Sequence, residues 1–146
     1  MTEKQKLSQK LADNLAFFIR DPSKRCVLNE SIYQVKCKYS GKTLGLKTPG
    51  CFIGRLIPSA SIRLELDNLD IGDVTELISA AGTKIKGYIP KIILNNRLIM
   101  LRFQGLHDAD SNWSDTGLSP KGKRELESIL NRYDKKLNRT PFRKFL

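Results

Sequence analysis

Apolar residues recur at helical spacing near both ends of this chain, and that pair of stripes constrains the fold more than any other feature. Leu7, Leu11, Leu15, Phe18 and Ile19 share one face of a segment whose other faces carry Lys, Gln, Asp and Asn, which predicts a helix over about 3–20. Thr2 and Gln5 fit a capping box at its start, and Asp21-Pro22 ends it, because the residue before a proline avoids helical backbone. The second stripe, Leu126, Ile129, Leu130, Tyr133 and Leu137, predicts a helix over 121–138, with Ser119 as N-cap and Pro120 at the first helical position.

Between the two helices the pattern changes. Arg25 to Leu28 and Ser31 to Tyr39 are rich in β-formers and predict a hairpin that turns at Asn29-Glu30. Ile62, Leu64 and Leu66 alternate with Arg63 and Glu65 as in a half-buried strand, a helix begun at Ser59 being the alternative. Asp70 and Asp73 suit the start of a helix carrying Val74, Leu77 and Ile78, and 83–88 reads as a strand or a link. Residues 92–106 are apolar enough to be the core, partly helical, and Trp113 with Leu118 ties a turn to the last helix. The fold class expected is α+β, a single domain over 1–138 with helices at both ends around a small antiparallel sheet or hairpin, followed by a basic, aromatic tail at 139–146.

At 146 residues the chain suits one domain with a real core, and its 40% hydrophobic content excludes a disordered protein. No apolar run approaches the roughly 18 residues of a membrane span, so no membrane partner is expected. Residues 1–6 open no export segment, which predicts a cytoplasmic protein with its thiols reduced. Cys26, Cys37, Cys51 and His107 lack a C-x-x-C knuckle, so neither a zinc site nor any other cofactor is expected.

The charge is what points to a partner. A net +11 is zoned: 20–47 holds seven bases against two acids, 132–146 six bases against one, and 65–76 five acids and no base. Zoning of this kind predicts an oriented face for non-catalytic binding of a polyanion, nucleic acid or a signalling nucleotide, the alternative being an inhibitor that covers an acidic or nucleic-acid-binding surface of a host protein. The plainer reading is a solvated lysine-rich surface. The binding residues expected are Arg20, Lys24, Arg25, Lys36, Lys38, Tyr39, Lys42 and Lys47 in the first zone, and Arg139, Phe142, Arg143 and Lys144 in the tail. Tyr33, Tyr39, Phe142 and Phe145 sit among bases as rings that stack nucleobases do, unless they are core. Ser40-Gly41-Lys42-Thr43 looks like the end of a P-loop, but Lys36 stands where that motif needs glycine, and Gly45, Pro49 and Gly50 interrupt the helix that should follow.

Three stretches carry a resemblance: Arg25-Cys26, Cys51-Phe52-Ile53-Gly54-Arg55-Leu56-Ile57-Pro58, and Phe103-Gln104-Gly105-Leu106-His107-Asp108 with Asn112-Trp113. They resemble a group of small uncharacterised phage and bacterial proteins whose pattern runs C, C-A-I-G-R-L-I-P, then L-Q-x-L-H-D with a nearby tryptophan. The likeness spans about two thirds of the chain, with Phe52 in place of the alanine. It implies kinship of fold and a phage accessory or anti-defence role, and it implies no catalytic residue and no cofactor. Catalysis is the least favoured reading. If it occurs, His107, Asp108, Asp110 and Cys51 are the residues to supply acid, base or nucleophile, although neighbouring side chains on a helix point about 100° apart.

Overall fold

The computed structural model describes residues 1–25, 27–31, 34–37, 39, 50–68 and 86–146, with the two strands 27–31 and 34–37 described by their backbone. The fold is α+β, mostly helical with two-stranded antiparallel hairpins. By density of internal contacts the chain divides into two compact units, Met1–Ser23 with Ala109–Leu146, and Lys24–Asp108. Residues 139–146, expected as a tail, are part of the first.

The first unit is built on α1 (Glu3–Arg20), with the predicted capping box in place. Thr2 Oγ1 accepts from the Gln5 backbone N–H at 3.1 Å, and Gln5 Oε1 accepts from that of Thr2 at 2.8 Å. Leu7, Leu11, Leu15 and Phe18 are buried, as the stripe requires. A hairpin of β3 (Trp113–Ser114) and β4 (Gly117–Leu118) pairs Trp113 with Leu118, both buried. The last helix, labelled α5 (Pro120–Arg132), starts at the expected cap, where Ser119 Oγ accepts from Gly122 N–H at 3.1 Å. It ends at Arg132 rather than Asn138, and Leu137 is buried from a turn beyond it. Gly122 leaves room for nothing larger: a Cβ there would stand 2.0 Å from the Asn112 carbonyl oxygen. The chain closes with a 3-10 helix, Thr140–Phe145, that packs Phe142 and Phe145 inward.

The second unit opens with β1 (Val27–Ser31) paired antiparallel to β2 (Gln34–Cys37), Val27 opposite Cys37. Asn29 and Glu30 lie within β1, and Ser31 pairs with Gln34, which corrects the expected turn at Asn29-Glu30. The segment 60–68 is a helix, α2 (Ala60–Asn68), not the expected strand. Ser59 begins it by accepting from Ile62 N–H at 3.3 Å, and local capping decides where seven alternating residues were ambiguous. Short α3 (Lys91–Leu94) leads into α4 (Arg97–Asp108), so the apolar stretch at 92–106 is helical. Phe52 stacks on Phe103 at 5.4 Å between centroids, among buried Ile53, Ile57, Ile93, Met100 and Leu106. The helix expected after Asp70 or Asp73 lies outside the described residues, and 86–88 is a 3-10 turn.

Candidate functional site

Two groups of the expected site residues are placed, one in each unit. In the first unit the basic segment 132–146 lies on a folded support. Leu137, Phe142 and Phe145 are buried beneath it, and Arg132, Lys135, Lys136, Arg143 and Lys144 are exposed above. Cations at Arg132, Lys135 and Lys136 also suit the negative end of the α5 dipole. Arg139 is engaged: its guanidinium pairs with Glu127 and donates to Asn131 Oδ1 at 3.0 Å. None of the five exposed bases makes an ion pair among the described residues. Arg132 lies over the Tyr133 ring at 5.9 Å and Lys144 over that of Phe145 at 5.1 Å. Phe142 is fully buried, so its ring presents no face to a base, and the rings of this segment act as its anchors.

The same unit carries a cleft of about 220 Å³ between the start of α1 and residues 138–141. Met1, Gln5, Gln9, Asn138, Thr140 and Pro141 line it. Beside it the two chain segments are tied together. Ser8 Oγ, buried, donates to the Lys4 carbonyl and accepts from Asn138 N–H, both at 2.7 Å, while Lys4 Nζ donates to the Asp134 carbonyl at 2.7 Å. The sequence reading assigned none of these residues to a site: Gln5 figures there only in the capping box, and Gln9 looks like the solvent face of a helix. The spacing i, i+4 of two amides was the one local signal.

In the second unit the C-terminal turn of α4 gathers His107, Asp108 and Gln104. His107 Nδ1 donates to Asp108 Oδ1 at 2.7 Å, and Gln104 Nε2 donates to the same oxygen at 2.6 Å. Gln104 Oε1 in turn accepts from Ile53 N–H at 3.1 Å. The helix end therefore brings together neighbours that ideal helical geometry splays apart. Arg25 completes the arrangement from 82 residues away, donating from Nε to the His107 carbonyl at 2.7 Å and from Nη2 to the Asp108 carbonyl at 3.1 Å. These carbonyls end a helix and have no partner within it, so Arg25 caps α4 and is not displayed for a ligand.

Burial pushes the His107 imidazole below its ordinary value of 6.5, against the raising effect of Asp108, and Arg25 adds to the lowering. A carboxylate on Nδ1 is how a general base is oriented. Yet His107 is 0% exposed, and it is Gln104, bonded to both Asp108 and the Ile53 N–H, that ties this end of α4 to the Ile53 turn. Cys51 is disulfide-bonded, which corrects the expectation of reduced thiols and removes it as a nucleophile.

Arg20 and Lys24 are exposed, Asp110 is exposed at the start of a 3-10 turn, and Tyr39 is buried with its N–H on Asp67 Oδ1 at 2.8 Å. The Tyr39 carbonyl also lies against Gly54, where a Cβ would stand 2.3 Å away, so Tyr39 is core and does not stack a base. The side chains of Cys26, Tyr33, Lys36, Cys37, Lys38, Lys42 and Lys47, and the loop that resembles a P-loop end, lie outside the described residues. Among the described residues no helix is long and apolar enough to cross a membrane. Comparison of the chain with known protein families, with curated proteins and with solved structures gives no match.

Proposed function

We propose that the protein binds nucleic acid without catalysis, through the surface of residues 132–144. The observation that carries this reading is the set of five exposed bases, Arg132, Lys135, Lys136, Arg143 and Lys144, held on a buried apolar support with no ion pair to neutralise them among the described residues. A surface that only needs solubility has no reason to hold five cations on an ordered support beside one acid, Asp134. Their distribution favours a polymer over a small nucleotide: they are strung along thirteen residues of chain, and the cleft nearby has no base in its lining. The resemblance to phage proteins adds an accessory or anti-defence setting for such binding.

The mechanism is neutralisation of phosphates with release of counterions. Fluorescence anisotropy on labelled oligonucleotides over a range of salt tests it. Each phosphate met is expected to contribute about 0.9 to the slope of log K against log salt on duplex and about 0.7 on a single strand. The quadruple variant Lys135→Glu, Lys136→Glu, Arg143→Glu, Lys144→Glu is expected to abolish binding. Affinity that ignores both salt and these substitutions would overturn the reading.

A further inference from the structure

Resting on that reading, we infer that the cleft between the start of α1 and residues 138–141 seats one nucleobase, and that the partner is therefore a single-stranded nucleic acid. Three observations meet here: the polar atoms left in the lining, the size of the cleft, and its position within the basic segment.

The lining has a defined hydrogen-bonding character. Gln5 uses Oε1 on the Thr2 backbone N–H, Gln9 uses Nε2 on Asp13 Oδ1 at 2.8 Å, and Asn138 uses Oδ1 on the Thr140 backbone N–H at 3.1 Å. These partners also fix which way each amide points, since a backbone N–H requires an oxygen and a carboxylate requires an N–H. Among the described residues that leaves Gln5 Nε2 and Asn138 Nδ2 as donors, Gln9 Oε1 as an acceptor, and the Thr140 hydroxyl as either. Donors and acceptors side by side are what the edge of a nucleobase presents in reverse. Met1 and Pro141 add the apolar surface that a base ring needs on its face.

The dimensions select within that class. At about 220 Å³ the cleft is below the roughly 300–1,000 Å³ of sites that enclose drug-sized ligands, so it takes a ring and leaves the sugar and phosphate outside. Three of the lining residues, Asn138, Thr140 and Pro141, belong to the basic segment itself, between Lys135-Lys136 and Arg143-Lys144 in sequence, and these four bases are exposed, so a strand bound along the segment passes the cleft. The two chain segments that form the cleft are tied together beside it, Ser8 accepting from the Asn138 N–H and Lys4 donating to the Asp134 carbonyl, which lowers the ordering cost of binding. A paired base has its edge occupied and its faces stacked, so a duplex cannot use the cleft unless a nucleotide leaves the helix.

The test compares three labelled 12-mers by anisotropy: an intact single strand, the same strand with abasic sites throughout, and a duplex. With wild-type protein the abasic strand is expected to bind at least about tenfold more weakly than the intact one, the size typical of losing one stacked base. The variant Gln9→Phe, at an exposed helical position, fills the cleft and is expected to erase the difference between intact and abasic strands. Equal binding of intact and abasic strands by the wild type would overturn the inference, as would a Gln9→Phe protein that still distinguishes them. If intact and abasic strands bind equally while the charge-reversed quadruple variant binds neither, the cleft fails and the nucleic-acid reading stands. If the wild type binds none of the three, both fall.

Discussion

The stretches 20–47 and 132–146 carry the same net charge, +5, and the described residues of each put it to different use. In the earlier stretch Arg25 is turned inward, capping the last carbonyls of α4, while Arg20 and Lys24 are exposed. In the later one five of six bases face solvent above buried Leu137, Phe142 and Phe145, and the sixth, Arg139, pairs with Glu127. Equal charge is thus no guide to equal availability. What separates the two is the support: Arg25 lies within reach of the last carbonyls of α4 and satisfies them, whereas the five exposed bases of the later stretch stand over buried apolar side chains.

That contrast breaks most visibly if the support of the later stretch is removed. Phe142→Ala is expected to destabilise the protein by about 3–5 kcal/mol in urea titration, and to weaken oligonucleotide binding with it. A loss below about 1 kcal/mol would mean that the basic segment stands without its anchor. Next in size, Gly122→Ala in one unit and Gly54→Ala in the other each force a Cβ against a carbonyl, at 2.0 and 2.3 Å, and should cost about 2–3 kcal/mol apiece. Arg25→Met is expected to cost about 1–3 kcal/mol, from the carbonyls left without a partner, and to leave oligonucleotide affinity at its wild-type value. A drop in affinity with stability intact would move Arg25 back among the ligand-binding residues.

The response to acid sharpens the comparison further, because it belongs to the earlier stretch's cap. Burial holds the folded His107 pKa below 6.5, so below that pH the unfolded chain takes up a proton that the folded chain refuses. Stability is expected to be unaffected above about pH 6.5 and to fall below it, by up to about 1.4 kcal/mol per pH unit, until the folded imidazole is also protonated. Thermal melts between pH 7.5 and 5 should show a shallower decline for His107→Gln, and parallel curves would show that another group is responsible. The smallest effect on stability is expected from the quadruple charge reversal at 135, 136, 143 and 144, whose melting temperature should stay near wild type while binding is lost.

Elements with strong local signals were legible in the sequence. The box of Thr2 and Gln5, the stop at Asp21-Pro22 and the Ser119-Pro120 start depend on residues a few positions apart, and all are present. The segment 60–68 was not, because Ile62, Leu64 and Leu66 alternate as a strand would while only Leu66 is buried and Leu64 is 40% exposed. The extent of α5 was overread for the reverse reason: Leu137 keeps helical spacing with Tyr133 although the chain has already turned. The candidate site was the least legible part. Its cleft joins residues 1–9 to 138–141, and the capping of α4 by Arg25 spans 82 residues, separations at which no periodicity carries information.

The composition of the first unit from both ends of the chain sets an order of assembly during synthesis. Residues 24–108 are contiguous and can collapse as they are made, whereas α1 emerges with Leu7, Leu11, Leu15 and Phe18 uncovered and must wait for 109–146. At translation rates of about 5–20 residues per second that wait is on the order of ten seconds, long enough for a chaperone to claim the exposed stripe. A nascent chain arrested before residue 138 would still lack the N–H that Ser8 accepts and the Thr140–Phe145 turn, and its N-terminal helix could dock only on the hairpin at 113–118.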